Sequence, residues 1–254
     1  MTAPAARSTV DDAEVARFSA IAAEWWDPAG KFKPLHRFNP VRIAWLRDAL
    51  CRRFDRDPLA PVPLTGLRLV DIGCGGGLIA EPMARLGATV VGIDAAERNI
   101  RTASVHAAES GIKIDYRSTT AEALAASGER FDAVLALEIV EHVADVPLFL
   151  KACVELAIPG GLVFMATMNR TNKAWLMAII GAEYILRWLP PGTHDWKRFR
   201  KPSELAAGLR DNGAVVRDLA GVVYNPLTGT FRLDPRDLDV NYLLCAEKES
   251  PKEE

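Results

Sequence analysis

Short apolar runs in this chain alternate with longer stretches in which apolar residues recur every three or four positions, the pattern of strands separated by helices. Residues 67–72 form such a run and read as a buried strand, followed by a helix over 78–86. A second strand is expected at 88–93, then a helix over 95–110 that Gly111 ends. Further strands fall at 113–116, 131–137 and 162–167, separated by helical stretches near 120–126 and 146–156. The stretches 215–223 and 240–246 are β-prone with no helical pattern between them, which predicts an antiparallel hairpin at one edge of the sheet. Together these imply an α/β fold: a doubly wound, mostly parallel sheet with ligands at the carboxyl ends of its strands.

Ahead of the first strand, helical spacing over 11–26 places Val15, Phe18, Ile21 or Ala22 and Trp25 on one side, with Asp11 or Asp12 as cap. Residues 27–40 hold three prolines and are expected to be largely irregular. A helix over 41–54 and a proline-rich linker over 57–63 follow. The chain therefore reads as a single domain, 1–254. It has a disordered start at 1–10, an N-terminal helical cap at 11–63, an insert after strand five at 169–201 and a charged tail at 248–254.

Composition changes this picture in few places. Hydrophobic residues make up 49% of the chain and charged ones 25%, enough for a sizeable core under an ordinary surface. A net charge of −2 argues against general nucleic-acid binding, so no nucleic-acid partner is expected. Cys51, Cys74, Cys153 and Cys245 show no paired spacing, which suits a reducing cytoplasm. The first ten residues lack the apolar core of a signal peptide, and no uninterrupted apolar run reaches the ~20 residues of a spanning helix.

The candidate chemistry begins at Asp71-Ile-Gly-Cys-Gly-Gly-Gly77, where the glycines let the chain turn sharply and let a ligand approach the backbone. Asp94 stands at the tip of the next strand, 21 residues after Gly73, where a carboxylate takes the two ribose hydroxyls of an adenosine nucleotide. A dinucleotide fingerprint fails because Leu78 occupies its third glycine position. Asp71 would repel a pyrophosphate but suits a cationic sulfonium. Asp71, Gly73, Gly75 and Gly77 with Asp94 resemble the S-adenosylmethionine site of class I methyltransferases. A nicotinamide oxidoreductase is the disfavoured alternative on the same sheet.

The strand at 131–137 runs into Glu138, Glu141 and His142. In a helical turn these three stand at i, i+3 and i+4 and share a face at the carboxyl edge of the sheet. They could ligate a divalent cation, or the imidazole could take a proton from a substrate. The alternative is a solvated helix start with a packed histidine. The insert carries seven basic residues against two acidic ones and includes Trp175 and an apolar run reaching Leu189. That composition suits contact with an anionic membrane surface, or a lid whose apolar face covers the site. His36, Arg37 and Arg42 would matter if the cap folds over the nucleotide, because a methionine carboxylate needs a cation; a basic surface loop is the alternative.

These segments together resemble the ubiquinone biosynthesis O-methyltransferase family. The likeness runs through Glu24-Trp-Trp-Asp27, Phe32-Lys-Pro-Leu-His-Arg37, Asn39-Pro40 with Arg42, the glycine turn, and Glu141-His-Val143. It continues through Asn169-Arg170, Trp175-Leu-Met177, Gly181 to Arg187, Gly192-Thr-His-Asp195, Tyr224-Asn-Pro226 and Asp239-Val-Asn-Tyr242. The resemblance implies a Rossmann-like seven-stranded sheet and cofactor contacts at Arg42, Gly73, Asp94 and Leu137. It also implies that Glu138, Glu141 and His142 are the positions at which relatives bind a divalent metal such as Mg²⁺. The implied reaction is methyl transfer from S-adenosylmethionine to polyprenylated catechol or hydroxyquinol rings in ubiquinone biosynthesis. The implied setting is cytoplasmic, on the inner face of the cell membrane, beside other ubiquinone-biosynthesis proteins. A non-catalytic cofactor-binding scaffold, or an enzyme for another small phenol, are the competing readings.

Overall fold

The structure, a computed structural model, describes residues 8–176, 195–225 and 227–250. Five parallel strands form one half of its sheet: β1 (Arg68–Ile72), β2 (Thr89–Asp94), β3 (Asp115–Ser118), β4 (Phe131–Leu137) and β5 (Ala157–Met168). β6 (Ala214–Asn225), β7 (Thr230–Asp234) and β8 (Asn241–Lys248) complete it with antiparallel pairings, in the order β3-β2-β1-β4-β5-β8-β6-β7. Eight strands thus stand where seven were expected. The additional one, β7, is a five-residue alternation whose Phe231 and Leu233 pack inward while charged Arg232 and Asp234 break its apolar signal. The edge hairpin is β6–β7, and β8 lies inside the sheet.

Along β1, Leu69 packs with Leu46, Leu50 and Met83 on one face, while Val70 and Ile72 pack with Phe149 and Leu205 on the other. A strand alternates its side chains between faces, so both sides need cover. Helices α2 (Lys33–Arg53) and α3 (Ala80–Arg85) belong to the first core; α5 (Ala121–Ala126), α6 (Val146–Leu156) and α8 (Pro202–Asp211) belong to the second. α4 (Glu97–Glu109) follows β2, and α7 (Asn172–Ala174) is a single turn after β5. By the same alternation Asp71 shares the face of Leu69 and looks toward α2.

The N-terminal cap differs from the reading of its prolines. Residues 33–40, expected to be irregular, are the first two turns of α2. Pro34 sits in the first turn, where its missing amide costs nothing, but Pro40 lies inside the helix. An interior proline costs ~3 kcal/mol. Each large apolar side chain taken fully from water contributes ~1.5–3 kcal/mol, and α2 buries Phe38, Trp45, Leu46 and Leu50, so packing outweighs the break. α1 (Asp12–Ala20) is capped by the Asp11 carboxylate as expected, but it stops at Ala20 and none of its residues is buried. Thr9, expected within a disordered start, is buried, and its carbonyl accepts the Ala144 N–H at 2.8 Å. Among the described residues no helix is long and apolar enough to cross a membrane.

Candidate active site

The strand ends Ile72, Asp94, Leu137 and Met168 border one cavity of about 580 Å³, and residues of α1 and α2 line its other side. That volume suits a small-molecule site. In the glycine turn, Gly73, Gly75 and Gly77 have φ of 70°, 53° and 91°, a region that side chains disfavour. A Cβ on Gly75 would collide with the Trp25 ring, and one on Gly77 with the Tyr116 hydroxyl. The Gly73 and Cys74 amides both donate to the Ile93 carbonyl (2.8 and 3.0 Å), which ties the turn to β2. Asp94 accepts the Gly75 amide (3.0 Å) and Asn99 Nδ2 (3.2 Å) on Oδ2, and the Ala96 amide (2.7 Å) on Oδ1. Burial raises the Asp94 carboxyl above its ordinary range, and these donors oppose the rise.

Arg42 is buried beneath this turn. Its Nη2 donates to Glu138 Oε1 at 2.6 Å, and its guanidinium lies over the Phe38 ring at 4.1 Å. Its Nε is buried with no hydrogen-bond partner among the described residues. Asp71 is buried as well. Burial pushes its carboxyl up to about 7, against the opposing Arg42 charge and the Ala80 amide. A glycine cradle, a ribose-height carboxylate and a buried arginine with a donor to spare fit a zwitterionic adenosyl amino acid. His36, also on α2, reaches the Trp25 carbonyl through Nε2 at 2.9 Å.

Glu138, Glu141 and His142 all border the cavity, but they do not share a helical face. Glu138 adopts φ 55°, a left-handed conformation that is strained for a residue with a Cβ, while its amide bonds the Ala166 carbonyl at 2.8 Å. That twist turns its carboxylate to Arg42. Only Val140–His142 forms a turn, and it is of the tighter three-residue kind. Glu141 is buried and accepts the Thr167 hydroxyl at 3.0 Å; burial raises its carboxyl. His142 Nδ1 lies 3.0 Å from Glu14 Oε2 on α1, with the ring edge-on to Phe18. Among the described residues no three His, Cys, Asp or Glu side chains are grouped so as to hold a metal ion. Here Glu138 bonds Arg42, Glu141 bonds Thr167 and His142 bonds Glu14, three different partners.

Residues 70–165 match the model of a family described as a methyltransferase domain. Among solved structures, the magnesium protoporphyrin IX methyltransferase of Synechocystis PCC 6803 with bound SAH is similar over 94% of both chains, with 18% identity and a TM-score of 0.62. The [4+2]-cyclase SpnF is similar over 81% of this chain and 80% of its own, with 18% identity and a TM-score of 0.55. At such identities the likeness is one of fold, and the cyclase shows that this fold hosts more than one chemistry. The full-length relatives are more specific. The ubiquinone biosynthesis O-methyltransferases of Brucella anthropi and Parvibaculum lavamentivorans are each 59% identical, over 96% of this chain and 98% and 96% of their own lengths.

The chain belongs to the ubiquinone biosynthesis O-methyltransferase family.

Membership in the ubiquinone biosynthesis O-methyltransferase family brings with it the S-adenosylmethionine-dependent methyltransferase class to which the glycine turn pointed. The apolar run expected to touch a membrane lies, beyond Leu176, outside the described residues. Trp175 and Leu176, at its start, are 43% and 51% exposed. Three of the flanking basic residues are paired: Arg170 with Glu204, Lys173 with Asp237 and Asp239, and Arg198 with Asp11 at 2.9 Å. Sequence reading missed Glu14, Asn99 and Thr167 as site residues. Glu14 and Thr167 act through partners remote in the chain; Asn99 stands only five residues beyond Asp94, but nothing in the local pattern singles it out.

Proposed function

We propose that this chain transfers the methyl group of S-adenosylmethionine to a phenolic oxygen of a polyprenylated catechol or hydroxyquinol ring in ubiquinone biosynthesis. Near-full-length identity to ubiquinone biosynthesis O-methyltransferases carries this reading. The cofactor supplies an electrophilic methyl on a sulfonium, displaced in line by the phenolic oxygen. In this reading Arg42, Asp71, Gly73, Gly75, Gly77, Asp94 and Leu137 hold it.

A phenol has a pKa of ~10 and attacks poorly at neutral pH, so a base beside the hydroxyl is required. His142 is assigned that role. Glu14 holds Nδ1, which leaves Nε2 to accept the phenolic proton as the O–CH₃ bond forms. Buried Glu141, bonded to Thr167, and Glu138, bonded to Arg42, keep the turn and the arginine in place.

The insert is proposed to meet the anionic face of the membrane in which a long-tailed substrate resides; exposed Trp175 and Leu176 support this. Incubating the protein with S-adenosylmethionine and a prenylated catechol, followed by mass spectrometry, tests the activity. Methylation of the ring oxygen is expected. Cofactor binding without turnover on any catechol would identify a scaffold instead.

A further inference from the structure

We propose that Trp25, which belongs to the N-terminal cap, is a positioning residue for the cofactor-binding carboxylate and acts on Asp94 through Asn99. The inference rests on Asp94 being the ribose-binding group.

An indole N–H can only donate a hydrogen bond. That of Trp25 points at Asn99 Oδ1, 3.0 Å away, in a buried contact. With its oxygen so committed, the Asn99 amide turns Nδ2 to Asp94 Oδ2 at 3.2 Å. The opposite amide orientation would set two N–H donors against each other at Trp25 and two oxygen acceptors against each other at Asp94. One orientation alone satisfies both ends, and the tryptophan selects it. Asp94 thereby meets three donors, those of Gly75, Ala96 and Asn99, which oppose the rise that burial imposes on its carboxyl and fix its plane.

The cap is well anchored to do this. The Trp25 indole lies against Gly75 and Gly76, where any Cβ would strike it, and stacks on Phe32 at 3.7 Å on a 10° interplanar angle. His36 holds the Trp25 carbonyl, and Trp26 Nε1 donates to the Gly76 carbonyl at 2.8 Å. A segment outside the matched residues 70–165 thus completes the nucleotide site.

Calorimetric titration of S-adenosylmethionine into Trp25→Phe, Asn99→Ala and the double variant tests the relay, with melting curves confirming that each is folded. Trp25→Phe keeps an aromatic ring over Gly76 while removing the donor and the outer indole ring over Gly75, and the double variant separates the two losses. It is expected to weaken binding roughly three- to tenfold, as the loss of one neutral hydrogen bond does. The double variant should bind no worse than Asn99→Ala alone, and the rise in KM for the cofactor should exceed any fall in kcat. Parent-like affinity in Trp25→Phe, or losses that multiply in the double variant, would overturn the relay. If Trp25→Phe does not fold, Asn99→Asp carries the test: a second carboxylate beside Asp94 should weaken binding more than Asn99→Ala, and equal or tighter binding refutes the proposal. Asp94→Ala in the same titration separates the two layers, because undiminished binding there removes the ribose assignment itself.

Discussion

His142 Nδ1 and Glu14 Oε2 lie 3.0 Å apart although 128 positions separate them in the chain. The pair joins the turn after β4 to an N-terminal helix that buries none of its own residues. Arg198, near the end of the insert, reaches the cap of the same helix through Asp11. The carboxylate fixes the ring's tautomer and direction, and the imidazole in turn holds the Glu14 carboxyl below its usual range. Glu14→Gln is expected to lower kcat roughly ten- to a hundredfold, the range for a lost hydrogen bond to a charged group. Cofactor affinity should stay near that of the parent. A calorimetric affinity falling in step with kcat would instead indicate a collapsed cap.

His142→Ala should lower turnover ~100- to 10,000-fold if the imidazole is the base. Because the three candidate metal ligands are dispersed, the residual rate should not respond to chelator or to added Mg²⁺. Steady-state assays with and without EDTA check both points.

Asp94→Ala is expected to fold normally and to weaken S-adenosylmethionine binding by ~1.5–3 kcal/mol, roughly ten- to a hundredfold. Two of its three donors, Ala96 and Asn99, line the cavity, so the substitution opens onto space that water can fill. Titration calorimetry reads the change directly.

Asp71 gives a pH signature. Its carboxyl titrates near 7 in the folded protein against an ordinary 3.8, so the native state holds a proton that the unfolded chain releases. Between about pH 4 and 7 the folded protein binds more protons than the unfolded one, and stability falls as pH rises through that window. At ~1.4 kcal/mol per unit the full effect is on the order of 4 kcal/mol. Asp71→Asn should remove it, which denaturant midpoints at pH 5 and pH 8 would report. A cationic ligand favours the ionised carboxylate, so S-adenosylmethionine affinity in the parent should rise across pH 7 and that rise should vanish in Asp71→Asn.

Vesicle binding should depend most on basic residues whose side chains face outward. Lys173 is already paired with Asp237 and Asp239, whereas Lys197 is exposed. Each basic residue near an anionic surface contributes ~1 kcal/mol, so Lys197→Glu should weaken partitioning into cardiolipin vesicles at least fivefold. Lys173→Glu should do less. Sedimentation at low and high salt distinguishes the two, and salt-insensitive partitioning would remove the electrostatic reading.

The strand-and-helix alternation, the glycine turn and the place of Asp94 were all legible in the sequence, because each rests on local periodicity or on glycine's freedom at positive φ. The first turns of α2 were not, since Pro40 reads as a breaker and the burial that overrides it comes from strands far along the chain. Glu138, Glu141 and His142 were correctly placed at the cavity but wrongly placed on one face. A single left-handed residue, Glu138, accounts for that error, and its conformation is selected by contacts with Arg42 and Ala166 rather than by its neighbours in sequence. Glu14 does its work on a partner that only the folded chain brings near, and Asn99 is oriented by one, Trp25.

The position of β8 bears on how the protein can be made. Residues 241–248 lie between β5 and β6, pairing with both, from Leu162↔Glu247 on one side to Ala214↔Lys248 on the other. During synthesis the parallel half of the sheet is complete long before this strand emerges, and its β5 edge waits with open hydrogen-bonding groups. The β6–β7 hairpin cannot attach until the strand that bridges it to β5 arrives. A ribosome that stopped at residue 240 would therefore release a chain missing an interior strand, with two apolar edges free to pair with other chains. Such early stops should yield aggregated or degraded product, whereas stops after Lys248 should be tolerated.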